Sequence, residues 1–159
     1  MDGAGVVETG EHATVWAWGR NNGGQLGDGT TANNSTPAQV AGLPSVTAIA
    51  SGIAHSLALD INGSVWAWGR NSEGQLGEGT TSARLSPVEV VGLTDVITIA
   101  TGNLHSLALK IDGTLWTWGR NNKGQLGDGT TINSTTRSQI LTAVTTMAGG
   151  GVHSLALKD

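Results

Sequence analysis

Cysteine, phenylalanine and tyrosine are absent from these 159 residues, and each absence removes a class of explanation. Without cysteine there are no disulfides, thiolate metal sites or thiol nucleophiles, so stability rests on packing and backbone pairing, and the redox compartment is left open. Charge is scarce too. Eight Lys and Arg against twelve Asp and Glu give a net charge of -4, with no basic surface to neutralise phosphates, so nucleic acid is excluded as a direct partner. No apolar run approaches the roughly 18 residues a membrane helix needs, and Met1-Asp2-Gly3-Ala4-Gly5 lacks the basic start and apolar core of a signal peptide. The chain reads as soluble, without membrane contact or export address, and its compartment is unassigned. Proline is nearly missing, with three residues against 25 glycines; without a three-residue period this is turn glycine and not collagen.

What is present is repetition. Val15-Trp16-Ala17-Trp18-Gly19-Arg20-Asn21 recurs at Val65 to Asn71 and, as Leu115-Trp116-Thr117-Trp118-Gly119-Arg120-Asn121, fifty residues further on. Gly24-Gln25-Leu26-Gly27-Asp28-Gly29-Thr30-Thr31 returns at Gly74 to Thr81, with Glu78 for Asp, and at Gly124 to Thr131. His55-Ser56-Leu57-Ala58-Leu59 returns at His105 and, after a 48-residue interval, at His153, so two residues are lost between Thr131 and Ala148. A period of this size marks a repeat architecture. Within a unit the apolar residues alternate as on half-buried strands, and Asp60-Ile61-Asn62-Gly63 is expected to be a tight hairpin with Asn-Gly at positive φ. Further strands are expected at Val88–Val91 and Val96–Ala100, with a Gly-rich loop from Asn71 to Ser86. The unit is thus about four antiparallel strands, a propeller blade.

These residues carry a resemblance. The order W-x-W-G-x-N-x-x-G-Q-L-G-x-G, then P-x-x-V, then G-x-x-H-S-L-A-L resembles the regulator of chromosome condensation (RCC1-type) repeat family, over residues 15 to 159. The resemblance implies an all-β propeller of four-stranded antiparallel blades, usually seven, closed by strands from the two chain ends meeting in one blade. It also implies protein binding, and in some members nucleotide exchange on small GTPases. We read residues 1–14 as an N-terminal segment with a degenerate strand at Val6-Val7-Glu8-Thr9, His12 as exposed, and 15–159 as three tandem blades.

Three blades turn through less than half a circle at the ~50 to 60° per blade of six- or seven-bladed rings. Such an arc leaves two apolar blade faces open. Interchangeable units allow the last blade of one copy to dock on the first of another, and two copies give six blades, within the usual range. A homodimer with strand exchange is therefore expected, with Val15 and Trp16 at one end and His153, Leu155 and Leu157 at the other as the assembling strands.

Every repeated polar position admits a sharper reading than a structural one. His55, His105 and His153 would form a ring of imidazoles, one per blade; a shared metal requires approach to about 2.1 Å, which separate blades do not allow, so we read them as structural, bonded to neighbouring backbone. Trp16, Trp18, Trp66, Trp68, Trp116 and Trp118 could stack on sugars or bases, but as the only large rings they fill the space between blades, with at least one of each pair in the core. Asp28, Glu78 and Asp128 recur in one context, which suits loop N–H groups better than calcium or an acid–base pair. Asp60 begins a calcium-like loop without its closing glutamate. Arg20, Arg70 and Arg120 line one rim and bond a loop or an adjacent acid, or meet an acidic partner. Specificity is expected where the units differ, at Ala32-Asn33-Asn34, Ser82-Ala83-Arg84 and Ile132-Asn133-Ser134. No catalytic, cofactor or metal residue is assigned. The reading is a non-enzymatic scaffold for protein interaction and self-assembly; a GTPase exchange factor, a lectin-like binder and a piece of a longer propeller are the alternatives.

Overall fold

The computed structural model describes residues 13–159; Val6–Thr9 and His12 lie outside them. Among the described residues no helix is long and apolar enough to cross a membrane, and the architecture is all-β. β3 (Val46–Ser51), β4 (His55–Asp60), β5 (Val65–Gly69) and β6 (Arg84–Glu89) form one antiparallel blade in chain order. β7 (Val96–Thr101), β8 (His105–Lys110), β9 (Leu115–Gly119) and β10 (Ser134–Leu141) form a second. Each end carries a two-stranded sheet, β1 (Trp16–Gly19) with β2 (Asn34–Gln39) and β11 (Val144–Gly149) with β12 (Ser154–Lys158).

The register identifies these two small sheets. Trp16↔Gln39 and Ala17↔Ala38 repeat the Trp66↔Glu89 and Ala67↔Val88 pairing of β5 with β6. Met147↔Ala156 and Ala148↔Leu155 repeat the Ile49↔Ala58 and Ala50↔Leu57 pairing of β3 with β4. The N-terminal sheet is thus the second half of a blade and the C-terminal sheet the first half. Three repeats of sequence fold as two whole blades and two halves, because each sheet begins with the strand before the histidine and not with the tryptophan strand.

Apolar layers lie between successive sheets. Val15, Val40, Val46, Ala58 and Trp68 fill the first, Leu57, Val65, Leu76, Ile99, Ala108 and Trp118 belong to the second, and Leu107, Leu109, Leu115 and Val144 make the third. A middle strand of a whole blade is covered on both faces, which is why Leu57, Ala58 and Leu59 are all buried although successive side chains point to opposite faces.

Two details differ from the sequence reading, and a third is located by the structure. The strand expected at Val88–Val91 starts earlier and ends at Glu89; Pro87 fits there because β6 is the outermost strand, where a missing N–H leaves no ladder bond unmade. The hairpin at Asp60–Gly63 closes through Gly63 N to Asp60 O at 3.1 Å with positive φ at Gly63 alone. Asn62 does not share that conformation, so this is a type I turn followed by a left-handed glycine instead of a two-residue Asn-Gly turn. The two lost residues fall between Ile140 and Val144, where Leu141-Thr142-Ala143 replaces the five residues Val91 to Asp95. Ala143 closes this shorter bend at φ 57° and Asp95 the longer one at φ 61°.

Candidate functional site

The chemistry of this chain lies at the joints between blades, and each joint starts from a buried loop amide. Asn71 is fully buried; its Oδ1 accepts from Leu76 N at 3.0 Å and its Nδ2 donates to Thr80 O at 2.9 Å. Asn21 and Asn121 do the same in their loops. This tie shapes the Gly-rich segment into a fixed turn and aims the carbonyl of the preceding glutamine, Gln25, Gln75 or Gln125, at the next blade.

Between the whole blades the joint is complete. His55 Nε2 lies 3.0 Å from Ser106 Oγ, Ser106 Oγ donates to Gln75 O at 2.8 Å, and Trp118 Nε1 donates to the same carbonyl at 2.8 Å. The serine proton is committed to Gln75 O, so the histidine supplies the other one and is the Nε2–H tautomer. Its Nδ1 is buried without a partner. Burial drives the His55 pKa down to about 3, helped by the neighbouring His105. His105, joined to Ser154 Oγ at 2.9 Å, is lowered to about 4, first by burial and then by His153. The histidines thus bond a serine of the following blade, and not neighbouring backbone as their sequence context suggested. Glycine makes this possible: a Cβ at Gly52, Gly102 or Gly150 would collide with the imidazole of His55, His105 or His153.

The two outer joints each lack one member among the described residues. At the N-terminal side Ser56 Oγ and Trp68 Nε1 both donate to Gln25 O, at 2.9 and 2.8 Å, but no histidine reaches Ser56. At the C-terminal side His105, Ser154 and Gln125 O are joined, with Ser154 Oγ donating to Gln125 O at 2.7 Å, but no indole reaches that carbonyl. The residues that would complete them lie on the open edges. Trp18 is 59% exposed where Trp68 is 2% and Trp118 0%, and Leu155 is 62% exposed where Leu57 and Leu107 are 0%.

The fold geometry has matches among known proteins, and a family model decides the affiliation. The regulator of chromosome condensation (RCC1) repeat model matches residues 12–59, 62–109 and 112–157. This chain belongs to that repeat family. The RCC1 repeats superpose on human WBSCR16 with a TM-score of 0.83 at 25% identity, covering 94% of this chain and 41% of that one. Prp20p from Saccharomyces cerevisiae, whose structure was described with its binding to Gsp1p and histones, gives 0.82 at 21% identity over 92% of this chain and 40% of its own. Yeast RCC1 (Prp20) bound to Kap60 gives 0.80 at 21%, covering 92% and 39%. The chain spans about two fifths of these propellers.

Within the RCC1 repeats the predicted residues divide. Trp68 and Trp118 sit in the joints, whereas Trp66 donates to Asp60 Oδ2, Trp116 to Thr114 Oγ1 and Trp16 to Thr14 Oγ1 at blade surfaces. Asp60 also accepts from Asn62 N and Ser64 N, so its oxygens close the hairpin. Asp28 and Asp128 take the N–H and hydroxyl of Thr30 and Thr130, which hold both carboxyls below the usual range. Glu78 pairs with Arg84 at 2.9 Å; the longer acid and the arginine change together in one repeat. Asn33 and Asn133 accept from Asn21 N and Asn121 N, while Asn34 and Ser134 bond within their own strand starts. Of the variable positions, Ala83 is exposed on the loop surface. Arg70 Nε bonds Ser72 Oγ in its own loop. The sequence reading passed over Asn71, Gln75 and Ser106 and their equivalents, although their threefold recurrence was the available signal.

Proposed function

We propose that this chain is a non-enzymatic protein-interaction scaffold whose first partner is a second copy of itself, the two closing one six-bladed ring. The observation that carries this is the complementarity of the ends: β11–β12 is the first half of a blade and β1–β2 the second half. In the whole blades the halves join through His55↔Gly69, Ser56↔Trp68, Leu57↔Ala67, Ala58↔Trp66 and Leu59↔Val65. The same register sets His153 opposite Gly19 and Leu157 opposite Val15 of a second copy. It covers Trp18, Leu155 and Leu157, exposed members of positions that are buried elsewhere. An open strand edge beside uncovered apolar side chains favours pairing.

A ring of this kind repeats the 71–83 loop six times on one face, and that face is where a further protein would bind. Support comes from Prp20p, a propeller of the same fold whose structure was described with its binding to Gsp1p and histones. Light scattering on the 159-residue chain across a dilution series tests the reading. A stable species at twice the 16.1 kDa chain mass is the expected result. A compact monomer at all concentrations overturns it and directs attention to cover of the β1 edge by the chain itself.

A further inference from the structure

Strand pairing alone would tolerate slippage, since a ladder of backbone bonds carries little register information. Resting on the homodimer reading, we infer that the joining blade is keyed by two reciprocal side-chain locks: the Trp18 indole of one copy on Gln125 O of the other, and His153 of that other copy on Ser56 Oγ of the first.

The complete joint supplies the template, and each open joint is missing the member that the opposite edge carries. Gln75 O accepts both Ser106 Oγ and Trp118 Nε1, whereas Gln125 O accepts Ser154 Oγ and no indole among the described residues, and Gln125 lies on the wall of a cleft it shares with Leu115, Gly127, Ile140 and Leu155. The glycines record the same difference. A Cβ at Gly27 would lie 2.8 Å from Trp68 Nε1 and one at Gly77 2.7 Å from Trp118 Nε1, but one at Gly127 meets only Ile140 Cγ2 at 3.2 Å. Cβ atoms at Gly69 and Gly119 would meet first the paired histidine strand, at Ala54 O and Leu104 O, and then the preceding loop at Gln25 and Gln75, while a Cβ at Gly19, whose strand has neither neighbour among the described residues, meets nothing within 4 Å. Space and an acceptor are both kept for an indole that the described residues of the same chain do not bring there.

The histidine lock is preset. The His153 ring lies against Gly150 as His55 lies against Gly52 and His105 against Gly102, the placement from which those two rings reach the next blade's serine. In sequence order around the ring that serine is Ser56 of the other copy, already donating to Gln25 O at 2.9 Å and free to accept. The backbone continues the pattern: Ile53 N donates to Asn103 O and Asn103 N to Gly151 O, each at 3.0 Å, leaving Gly151 N for Ile53 O of the second copy. Each dimer has two such seams, and each seam has both locks.

The test compares dimer dissociation constants by sedimentation for the whole chain and single variants. Gly127→Asn keeps a residue that tolerates φ 74° while filling the indole's place; Gly129→Asn, at φ 80° with nothing within 4 Å, is its control. We expect Gly127→Asn to raise the dissociation constant at least about a hundredfold, with the circular dichroism of the monomer kept, and Gly129→Asn to change it less than about threefold. Trp18→Phe should weaken the dimer about tenfold per seam, and so about a hundredfold in all, against less than threefold for Trp16→Phe, whose indole bonds Thr14. His153→Ala should behave like Trp18→Phe. A dimer indifferent to Gly127→Asn, or weakened equally by the two tryptophan changes, overturns the locks and leaves the dimer standing; a wild-type monomer overturns both.

Discussion

Acidification is the perturbation that the buried histidines make quantitative. His55 goes from an ordinary value of 6.5 to about 3 in the fold, so the unfolded chain binds a proton that the folded chain refuses. A depressed histidine pKa leaves stability intact above 6.5 and removes it as pH falls below, by about 1.4 kcal/mol per pH unit until the folded value is reached. Between neutral pH and about pH 4.5, His55 alone removes roughly 3 kcal/mol. His105 is also shut off from solvent, but only a half-blade covers it on one side; counting half its nominal effect adds roughly 1 kcal/mol. The sum, about 4 kcal/mol, is a large part of the 5–15 kcal/mol typical of a domain. Protonating Nδ1 would also place a buried N–H where no acceptor stands, so relaxation of the joint does not rescue the charge. Urea unfolding at constant m-value, repeated at half-unit steps from pH 7, measures this directly. The His55→Gln, His105→Gln variant, which has no imidazole to titrate at these joints, should show at most a third of the wild-type slope over that window. Equal slopes in wild type and variant would refute the reasoning, as would a wild-type stability flat down to pH 4.5.

Four other changes follow from particular contacts. Ser106→Ala leaves the His55 N–H without an acceptor inside a sealed joint and should cost about 1–3 kcal/mol by denaturant midpoint. Asn71→Ala removes ties to Leu76 N and Thr80 O and should cost at least about 2 kcal/mol, with faster amide exchange confined to residues 74–80. Arg84→Ala breaks an ion pair whose arginine is 40% exposed, so its denaturant midpoint should shift far less than that of Ser106→Ala, and the shift should vanish at high salt. Ala143→Gly relieves an alanine at φ 57° and should raise stability by roughly 1 kcal/mol, read as a higher melting temperature.

The repeat, the strand content and the family were legible from the sequence because they rest on local chemistry repeated three times. Glycine at fixed offsets, paired tryptophans and the His-Ser-Leu-Ala-Leu run each state a local conformation, and three copies exclude accident. The short bend near Ala143 was legible as a length difference but not as a site of backbone strain, which needs φ. Where each blade begins was not legible, since the period is the same whichever strand is taken first; only hydrogen bonding between strands shows that the sheets start at Val46 and Val96 and leave complementary halves at the ends. Nor could sequence say that His55 bonds Ser106 across fifty-one residues, or that Trp118 and Ser106 share the carbonyl of Gln75. Those contacts belong to two blades at once, and they exist only after the blades have turned and packed against each other, with burial fixing which polar groups must find partners.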